Sequence, residues 1–343
     1  MDVKHHQRYL LADRSFANIV KRDITRLAES YGFSPAEVGR INIVVSEMAS
    51  NLQKHAPQGG ELLVKYTQDN ALEILCMDNG PGMKDPQRML KDGNSTAGTA
   101  GEGLGAIKRQ SHVFDIYSFT GGGTVVLSRI YKGLTEAPRT KSTFEVSALL
   151  IPKANEQFCG DGFAMEVSGS ACYLIALDGL GHGAAANDAS AEAAQAFLSN
   201  YTQDAASNLR QIHTSIRKTR GAVGTIVHIN TTLKKLYYCG IGNIAGRVFT
   251  TEGTSIQNAS CKNIIAYNGI LGHNIPATIN TQTLEWDKHK LLVLHSDGIK
   301  SRSDLSRYPN LHRHDVSIIA AVIYRDYRRN TDDSLVVVAR SRS

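Results

Sequence analysis

The sequence predicts a two-domain α/β protein, and three observations support that prediction. The chain has 343 residues, which is long enough for two compact domains. Strand-like and helix-like runs lie on both sides of a polar segment, YKGLTEAPRTKS, whose Gly and Pro are typical of a linker. In each half, at least one apolar strand ends in an aspartate with a glycine one or two residues later. We therefore predict domains at residues 1–131 and 143–343, joined by a linker at residues 132–142.

Composition limits the class of protein and its compartment. Apolar residues make up 42% and charged residues 20% of the chain, as in ordinary globular proteins. No apolar run approaches the length of a membrane span, and charges stand where a signal peptide would need its apolar core. Five cysteines without a CxxC pair suggest neither a zinc site nor a redox couple. We expect a cytoplasmic protein that does not bind membranes.

The charge balance bears on the partner. The net charge is +6, but Lys and Arg are dispersed, and no aromatic-basic pattern marks a surface that reads nucleic acid. We therefore expect no nucleic-acid binding and favour an acidic protein partner.

The first domain begins with a strand or arm followed by a helix over residues 15–31. Its predicted core positions recur at helical spacing: Phe16, Ile19, Val20, Ile24 and Leu27. A second helix begins at Ser34, because Ser34 and Glu37 form a capping-box pattern and Pro35 fits the first turn. Its apolar stripe comprises Val38, Ile41, Val45, Met48 and Leu52.

Polar residues of the second helix are candidates for a site. Glu47 and Asn51 are four residues apart on one face, with Lys54 one turn along; a solvated face is the simpler explanation. Strands at residues 61–67 and 71–77 follow, and the second ends in the sequence DNGPG. The glycine-rich run GEGLGAIKR then leads into a helix, whose free N–H groups suit phosphate oxygens. Strands at 113–119 and 124–130 complete the predicted sheet.

The ordered motifs SEMASN, DNGPGM, GEGLGAIKR and GGGT resemble the nucleotide site of the GHKL ATPases, most closely the RsbT-type switch kinases. This resemblance implies a GHKL (Bergerat) α/β sandwich that binds ATP with Mg²⁺. It implies that Asn51 holds the Mg²⁺, Glu47 serves as base or orienter for the accepting hydroxyl, and Asp78 accepts from the adenine amino group. The other residues predicted to bind the nucleotide are Lys54, Gly80, Gly82, Gly101, Gly103, Gly105 and Thr124. Since Glu102 places a carboxylate among the glycines, nucleotide binding without transfer remains an alternative.

The second domain is predicted as two sheets with helices outside. Strands are expected at residues 143–152, 158–168, 173–177, 225–230, 236–240, 245–250 and 290–295, with a final strand after Asp333. Helices are expected at residues 184–200, 205–218, 298–306 and 314–327.

Carboxylates stand at the edges of four of these strands. Asp161 lies in CGDGF, Asp178 in LDGLGHG and Asp297 in SDG, and Asp332 and Asp333 open the last strand. Hard divalent cations take oxygen ligands from clustered carboxylates. One Asp-Gly pair alone is more often a turn, but four acidic motifs in this order favour a paired-metal phosphate site.

The same four motifs resemble the SpoIIE/RsbX branch of the PPM-type (type 2C) serine/threonine phosphatases. This resemblance implies an α-β-β-α sandwich with two Mn²⁺ or Mg²⁺ ions and hydrolysis of phosphoserine or phosphothreonine. It implies that Asp178 bridges the metals, that the carbonyl of Gly179 is a ligand, and that Asp161 holds a metal-bound water. Asp297, Asp332 and Asp333 complete the implied metal set. His182 is either a general acid or a turn histidine.

The two resemblances together predict a bacterial partner-switching regulator. One domain would phosphorylate, and the other dephosphorylate, a protein of the STAS anti-sigma antagonist class, and a homodimer is possible. Two alternatives remain: a phosphatase whose first domain only senses nucleotide, and an anti-sigma-like binding module.

Overall fold

The computed structural model describes residues 5–11, 14–90, 103–138, 142–253 and 255–342. The chain divides into two compact units: residues 6–140, and residues 141–343 with the first five residues. We call them the nucleotide unit and the phosphatase unit after the activities that the sequence predicts for them. Among the described residues, no helix has both the length and the apolar character needed to cross a membrane.

The nucleotide unit is one five-stranded sheet with helices packed on it. Its strand order is β1-β2-β3-β5-β4, and all neighbouring strands are antiparallel. The elements are β1 (Gln7–Leu11), α1 (Arg14–Ser30), α2 (Pro35–His55), β2 (Gly60–Tyr66), β3 (Ala71–Asp78), α3 (Pro86–Met89), α4 (Gly103–Gln110), β4 (Val113–Ser118) and β5 (Thr124–Tyr131).

The second helix begins as the sequence predicts. The backbone N–H and the hydroxyl of Ser34 both donate to the Glu37 carboxylate, and the Glu37 N–H returns to the Ser34 hydroxyl, so the capping box is complete. The predicted apolar stripe is buried in full: Val38, Ile41, Val45, Met48 and Leu52. This stripe fixes the rotation of α2, and with it the direction of Glu47 and Asn51.

The predicted core of the first helix is wrong at one position. Val20 and Ile24 are buried and Leu27 packs against the same core, but Ile19 is 46% exposed. Ile19 precedes Val20 by one residue, a rotation of about 100° around a helix, so it falls off the buried stripe. The side chain of Phe16 lies outside the described residues.

The phosphatase unit has two sheets packed face to face with helices outside, the predicted α-β-β-α arrangement. One sheet has the order β13-β10-β9-β8-β7 and the other β12-β11-β14-β15-β6. The strands are β6 (Phe144–Ile151), β7 (Asp161–Ser168), β8 (Ala171–Gly179), β9 (Ala222–Asn230), β10 (Lys235–Ile241), β11 (Ala245–Glu252), β12 (Ser255–Ile264), β13 (Gln282–Glu285), β14 (Lys290–His295) and β15 (Ser334–Ser341). The helices are α5 (Ala184–Asn200), α6 (Ala205–Ser215) and α7 (Val316–Tyr327).

Apolar layers separate these elements. Side chains of both sheets form one core, which includes Leu174, Val227, Leu294 and Val337. A second core lies between the first sheet and helices α5 and α6. The packing of the two sheets brings three aspartates to one end of the sandwich: Asp178 near the end of β8, Asp297 just after β14 and Asp333 just before β15.

Two local predictions for this unit fail. The helix expected at residues 298–306 is absent, and only a 3₁₀ turn forms at Leu305–Arg307. Asp304 accepts hydrogen bonds from the Ser306 N–H and hydroxyl, a local bond that competes with helix. Strands β12 and β13 were not predicted, because β12 is largely polar and β13 has only four residues, so neither shows a clear alternating pattern.

Candidate functional sites

The first pair of carboxylates in the phosphatase unit is set by strand register. Asp161 opens β7 directly opposite Asp178 near the end of β8. Asp161 is only 4% exposed, and its Oδ2 accepts a hydrogen bond of 2.7 Å from the Ser296 hydroxyl. That hydroxyl also accepts from the Leu335 N–H at 3.0 Å. Ser296 therefore ties a β7 carboxylate to the opposite sheet.

Asp333 is held by backbone donors from distant parts of the chain. Its Oδ1 accepts from the Lys153 N–H at 2.8 Å and its Oδ2 from the Gly160 N–H at 3.0 Å. A Cβ on Gly160 would lie 2.8 Å from Asp333 Oδ2, so this approach requires glycine. Asp332 Oδ1 accepts from the Asp333 N–H at 2.9 Å.

Asp297 follows β14 and is exposed. Its Oδ2 accepts a hydrogen bond of 3.1 Å from the Asn243 side-chain amide. Asn243 ends the turn GIGN between β10 and β11, where Gly242 has φ +94°. Nothing in this turn sequence indicates that Asn243 holds a carboxylate. Ser296 was missed for a similar reason, since a serine before an aspartate is common.

The carboxylates act on one another electrostatically. Burial, followed by the charges of Asp297, Asp332 and Asp333, raises the pKa of Asp178 to about 7. Burial and the Asp178 charge raise the pKa of Asp161 well above its ordinary value, although the Ser296 hydrogen bond opposes the rise. Burial also raises the pKa of Asp333, with Asp332 and Glu156 adding to it. The five carboxylates therefore lie within one shared negative field.

This donor chemistry fits hard divalent cations. In the described part of the chain, none of the five carboxylates forms an ion pair with Lys, Arg or His. Oxygen donors of this kind are the ligands that Mg²⁺ and Mn²⁺ prefer. Among the described residues, no three acidic, His or Cys side chains already surround a single point at ligand distance. Gly179, the last residue of β8, is buried beside this cluster.

His182 lies at the rim of the carboxylate cluster. Its Nδ1 is 2.6 Å from Glu156 Oε1, and about half of its side chain is exposed. Glu156 in turn raises the pKa of Asp333, so the histidine stands on the same side of the unit as the carboxylates. Glu156 was not among the predicted site residues, because its neighbours LIPKANEQ form no motif.

In the nucleotide unit, the glycine-rich helix meets the polar face of α2. A Cβ placed on Gly103, the first residue of α4, would lie 2.8 Å from Glu47 Oε2 and 3.5 Å from Asn51 Oδ1. The N-terminal N–H groups of α4 therefore open next to the two polar residues, a suitable place for phosphate. The face of α2 that could have been merely solvated thus faces a candidate site.

The end of β3 forms the second part of this candidate site. Asp78 stands directly opposite Thr124 of β5, and its Oδ1 accepts from the Gly80 N–H at 2.7 Å. A Cβ on Gly80 would lie 2.6 Å from the His55 carbonyl oxygen, at the end of α2. The structure therefore brings Asp78, Gly80 and Thr124 together beyond the C-terminus of α2.

Gly82 and Ser118 shape the turn beside Asp78. Gly82 has φ +69°, and a Cβ there would lie 2.0 Å from the Phe119 carbonyl oxygen, so no other residue fits. The Ser118 hydroxyl accepts from the Met83 N–H at 2.9 Å and donates to the Gly123 carbonyl at 2.7 Å. Ser118 was missed, because one serine in a strand is no signal.

Three further residues were predicted to bind the nucleotide. Gly105 is buried within α4. Lys54 is exposed in the last turn of α2. Gly101 lies outside the described residues, as does Glu102.

Comparison with known proteins identifies a family for the first part of the chain. The model of the histidine kinase-like ATPase domain matches residues 12–130. The serine/threonine-protein kinase RsbT of Bacillus subtilis (strain 168) is 33% identical over 103 residues, covering 29% of this chain and 77% of RsbT.

The comparisons also find a phosphatase. Phosphoserine phosphatase RsbX of Bacillus subtilis (strain 168) is 28% identical over 148 residues, covering 43% of this chain and 70% of RsbX. The crystal structure of RsbX in complex with magnesium superposes with a TM-score of 0.51 at 20% identity, covering 60% of this chain and 98% of that one. A second solved structure comes from work on the bacterial stressosome, a modular system adapted to control secondary messenger signalling. It superposes with a TM-score of 0.51 at 26% identity, covering 57% of this chain and 99% of that one.

Proposed function

We propose the function of this protein from its family: through residues 12–130 the chain belongs to the histidine kinase-like ATPase domains of the RsbT kind, and the chain continues into a PPM-type phosphatase domain of the SpoIIE/RsbX kind. The protein is a partner-switching regulator with protein phosphatase and kinase domains. Its substrate is a phosphoserine or phosphothreonine on a STAS-domain anti-sigma antagonist. The five cysteines are free, which suits the reducing cytoplasm in which we place this activity.

One observation carries the phosphatase assignment. Asp178 stands opposite Asp161 in one sheet, while Asp297, Asp332 and Asp333 flank strands of the other sheet. Burial and the charges of those three carboxylates raise the pKa of Asp178 to about 7. Bound divalent cations would supply neutralisation of phosphoryl charge and activation of water. In this proposal the ligands are Asp178, the carbonyl of Gly179, Asp297, Asp332 and Asp333, with Asp161 holding a water.

The protein groups around these ligands keep them in place. Ser296 and Asn243 each donate to a carboxylate, and the backbone N–H groups of Lys153 and Gly160 do the same for Asp333. In this proposal His182 protonates the leaving seryl or threonyl oxygen, and its contact with Glu156 orients the ring.

In the nucleotide unit, the proposal assigns ATP to the space bordered by α2, α4 and the end of β3. Asn51 holds the Mg²⁺ that accompanies the phosphates, and Glu47 orients the accepting hydroxyl. Asp78, next to Gly80 and Thr124, accepts from the adenine amino group. Phosphoryl transfer requires chiefly positioning and charge neutralisation. The position of Gly103 next to Glu47 and Asn51, where a Cβ would lie 2.8 Å from Glu47 Oε2, supports this assignment.

The test uses the full chain and a purified STAS protein phosphorylated on serine. With Mn²⁺ or Mg²⁺, we expect release of inorganic phosphate that chelation abolishes. Unchanged release after chelation would contradict the metal-dependent phosphatase assignment.

A second arm tests the kinase domain. With ATP and unphosphorylated STAS protein, we expect phosphate transfer that Glu47→Ala removes and that Glu29→Ala, an exposed carboxylate on α1, preserves. If wild type and Glu47→Ala transfer equally little, while ATP still alters the rate of dephosphorylation, the first domain is a nucleotide sensor instead.

A further inference from the structure

An arginine stands beside the carboxylate cluster on a turn that is tied to it. Arg220 lies between α6 and β9. The Gly221 carbonyl accepts from the Leu180 N–H at 3.0 Å, within the turn that follows Asp178. The Arg220 carbonyl accepts from His273 Nε2 at 2.8 Å, and the Gly221 N–H donates to the Thr219 hydroxyl at 3.0 Å. The backbone that carries Arg220 is therefore fixed against the carboxylate turn.

The guanidinium reaches over that turn. A Cβ placed on Gly181 would lie 3.1 Å from Arg220 Nη1. The Gly181 carbonyl oxygen is in turn 3.4 Å from the Cβ position of Gly160, which lies 2.8 Å from Asp333 Oδ2. Arg220 thus adjoins the residues that hold the carboxylates, and Gly181 leaves room for its side chain.

This guanidinium has no carboxylate partner in the described part of the chain. Some arginines are paired, as Arg129 is with Glu73 and Arg340 with Glu145. Arg220 is exposed and forms no ion pair with the acidic side chains near it. A permanently charged, planar set of five donors is thus available at the rim of a site whose proposed substrate is a phosphate ester.

We propose that Arg220 binds the phosphoryl group of the phosphoserine or phosphothreonine substrate. This inference rests on the proposed phosphatase function and adds a substrate-binding residue to it. The carboxylates repel a phosphate dianion, so positive charge must come from the bound cations and from the protein. Arg220 supplies two N–H donors in the geometry that matches two phosphoryl oxygens.

The experiment compares the full-length wild type with Arg220→Ala, Arg220→Lys and the control Lys218→Ala, an exposed cation two residues away. Steady-state hydrolysis of a phosphoserine peptide is measured with saturating Mn²⁺, together with the inhibition constant of inorganic phosphate. We expect Arg220→Ala to raise both KM and that constant about 10- to 100-fold, the range for a lost hydrogen-bonded charge. Arg220→Lys should recover part of the loss, because it keeps charge without the planar fork.

The Mn²⁺ concentration for half-maximal activity separates phosphate binding from damage to the metal site. It should be the same in wild type and in all three variants. An inhibition constant for phosphate that does not change in Arg220→Ala would overturn the inference, as would an equal rise in Lys218→Ala. If the wild type itself has no metal-dependent activity, the proposed function fails first, and this outcome is distinct from an active enzyme that is insensitive to Arg220.

Discussion

The nucleotide unit and the phosphatase unit build their candidate sites in contrasting ways. In the nucleotide unit, Glu47 and Asn51 share one helix, and glycines let other backbone segments approach them. In the phosphatase unit, the carboxylates lie between positions 161 and 333 and reach one place through two packed sheets. The first site depends on local geometry and close approach, and the second on long-range packing that forces like charges together.

The largest effect is expected from a substitution that disrupts the carboxylate site of the phosphatase unit and leaves the nucleotide site intact. Asp178→Asn removes the carboxylate on which the other charges act, and should lower metal-dependent hydrolysis about a thousand-fold, equivalent to roughly 4 kcal/mol of barrier. ATP binding, measured by calorimetry on the same protein, should not change. Asp188→Asn, an exposed aspartate on α5, is the control. Hydrolysis by Asp178→Asn at the wild-type rate would contradict the proposed metal site.

The next largest effect is expected in the nucleotide unit, where the backbone at Gly82 lies close to the Phe119 carbonyl. Gly82→Ala combines a left-handed backbone with a Cβ 2.0 Å from a carbonyl oxygen, whereas Gly121→Ala has φ +80° but nothing within 4 Å. We expect Gly121→Ala to cost about 1 kcal/mol from backbone strain alone, and Gly82→Ala more than about 3 kcal/mol. Denaturant unfolding and ATP affinity measure the difference. Equal losses would show that the Phe119 contact is unimportant.

A third prediction concerns a buried ion pair of the nucleotide unit. Glu73 Oε2 is 2.6 Å from Arg129 Nε. Burial would raise the pKa of Glu73, but the charges of Arg129, His6 and Lys65 outweigh it and hold the pKa well below its ordinary value. Since the native pKa is depressed, the stabilisation is full above the unfolded pKa of about 4.3 and is lost as the pH falls below it.

Glu73→Gln tests whether this stabilisation is lost as the pH falls. At neutral pH it should lower the free energy of unfolding by about 3 kcal/mol, because Arg129 loses its buried partner. Below about pH 4.3 the difference from wild type should shrink. Unfolding curves at several pH values measure it, with Glu29→Gln as the exposed control. A difference that is constant with pH would contradict the depressed pKa.

The smallest effect is expected at the capping box of α2, which is a local interaction. Ser34→Ala removes the hydroxyl of the capping box and should cost about 1 kcal/mol of stability. Ser30→Ala removes a hydroxyl that donates to the Leu27 carbonyl, and this loss should cost less. Thermal unfolding of both variants is the measurement. Phosphatase activity should not change in either variant, because α2 has no part in the carboxylate cluster.

Much of this architecture is predictable from the sequence. The bounds of α5 and β14, the start of α2 and the α-β-β-α arrangement follow from periodicity, capping residues and motif order. The failures are instructive: Ile19 lies one residue off its stripe, and the segment after Asp297 satisfies its backbone with local Asp304 bonds instead of a helix. In the first case two adjacent apolar residues compete for one stripe, and in the second a side chain competes with the helix for backbone N–H groups.

The sequence by itself determined which residue types are available: aspartates at strand ends, glycines where backbone must approach, and a capped helix bearing Glu47 and Asn51. Only the tertiary structure decided which groups support them, such as Ser296 for Asp161, Asn243 for Asp297 and Arg220 over Gly181. The physical reason is range. Strand ends and caps depend on neighbours a few residues away, whereas hydrogen bonds and shared electric fields depend on distances that exist only after the two sheets have packed.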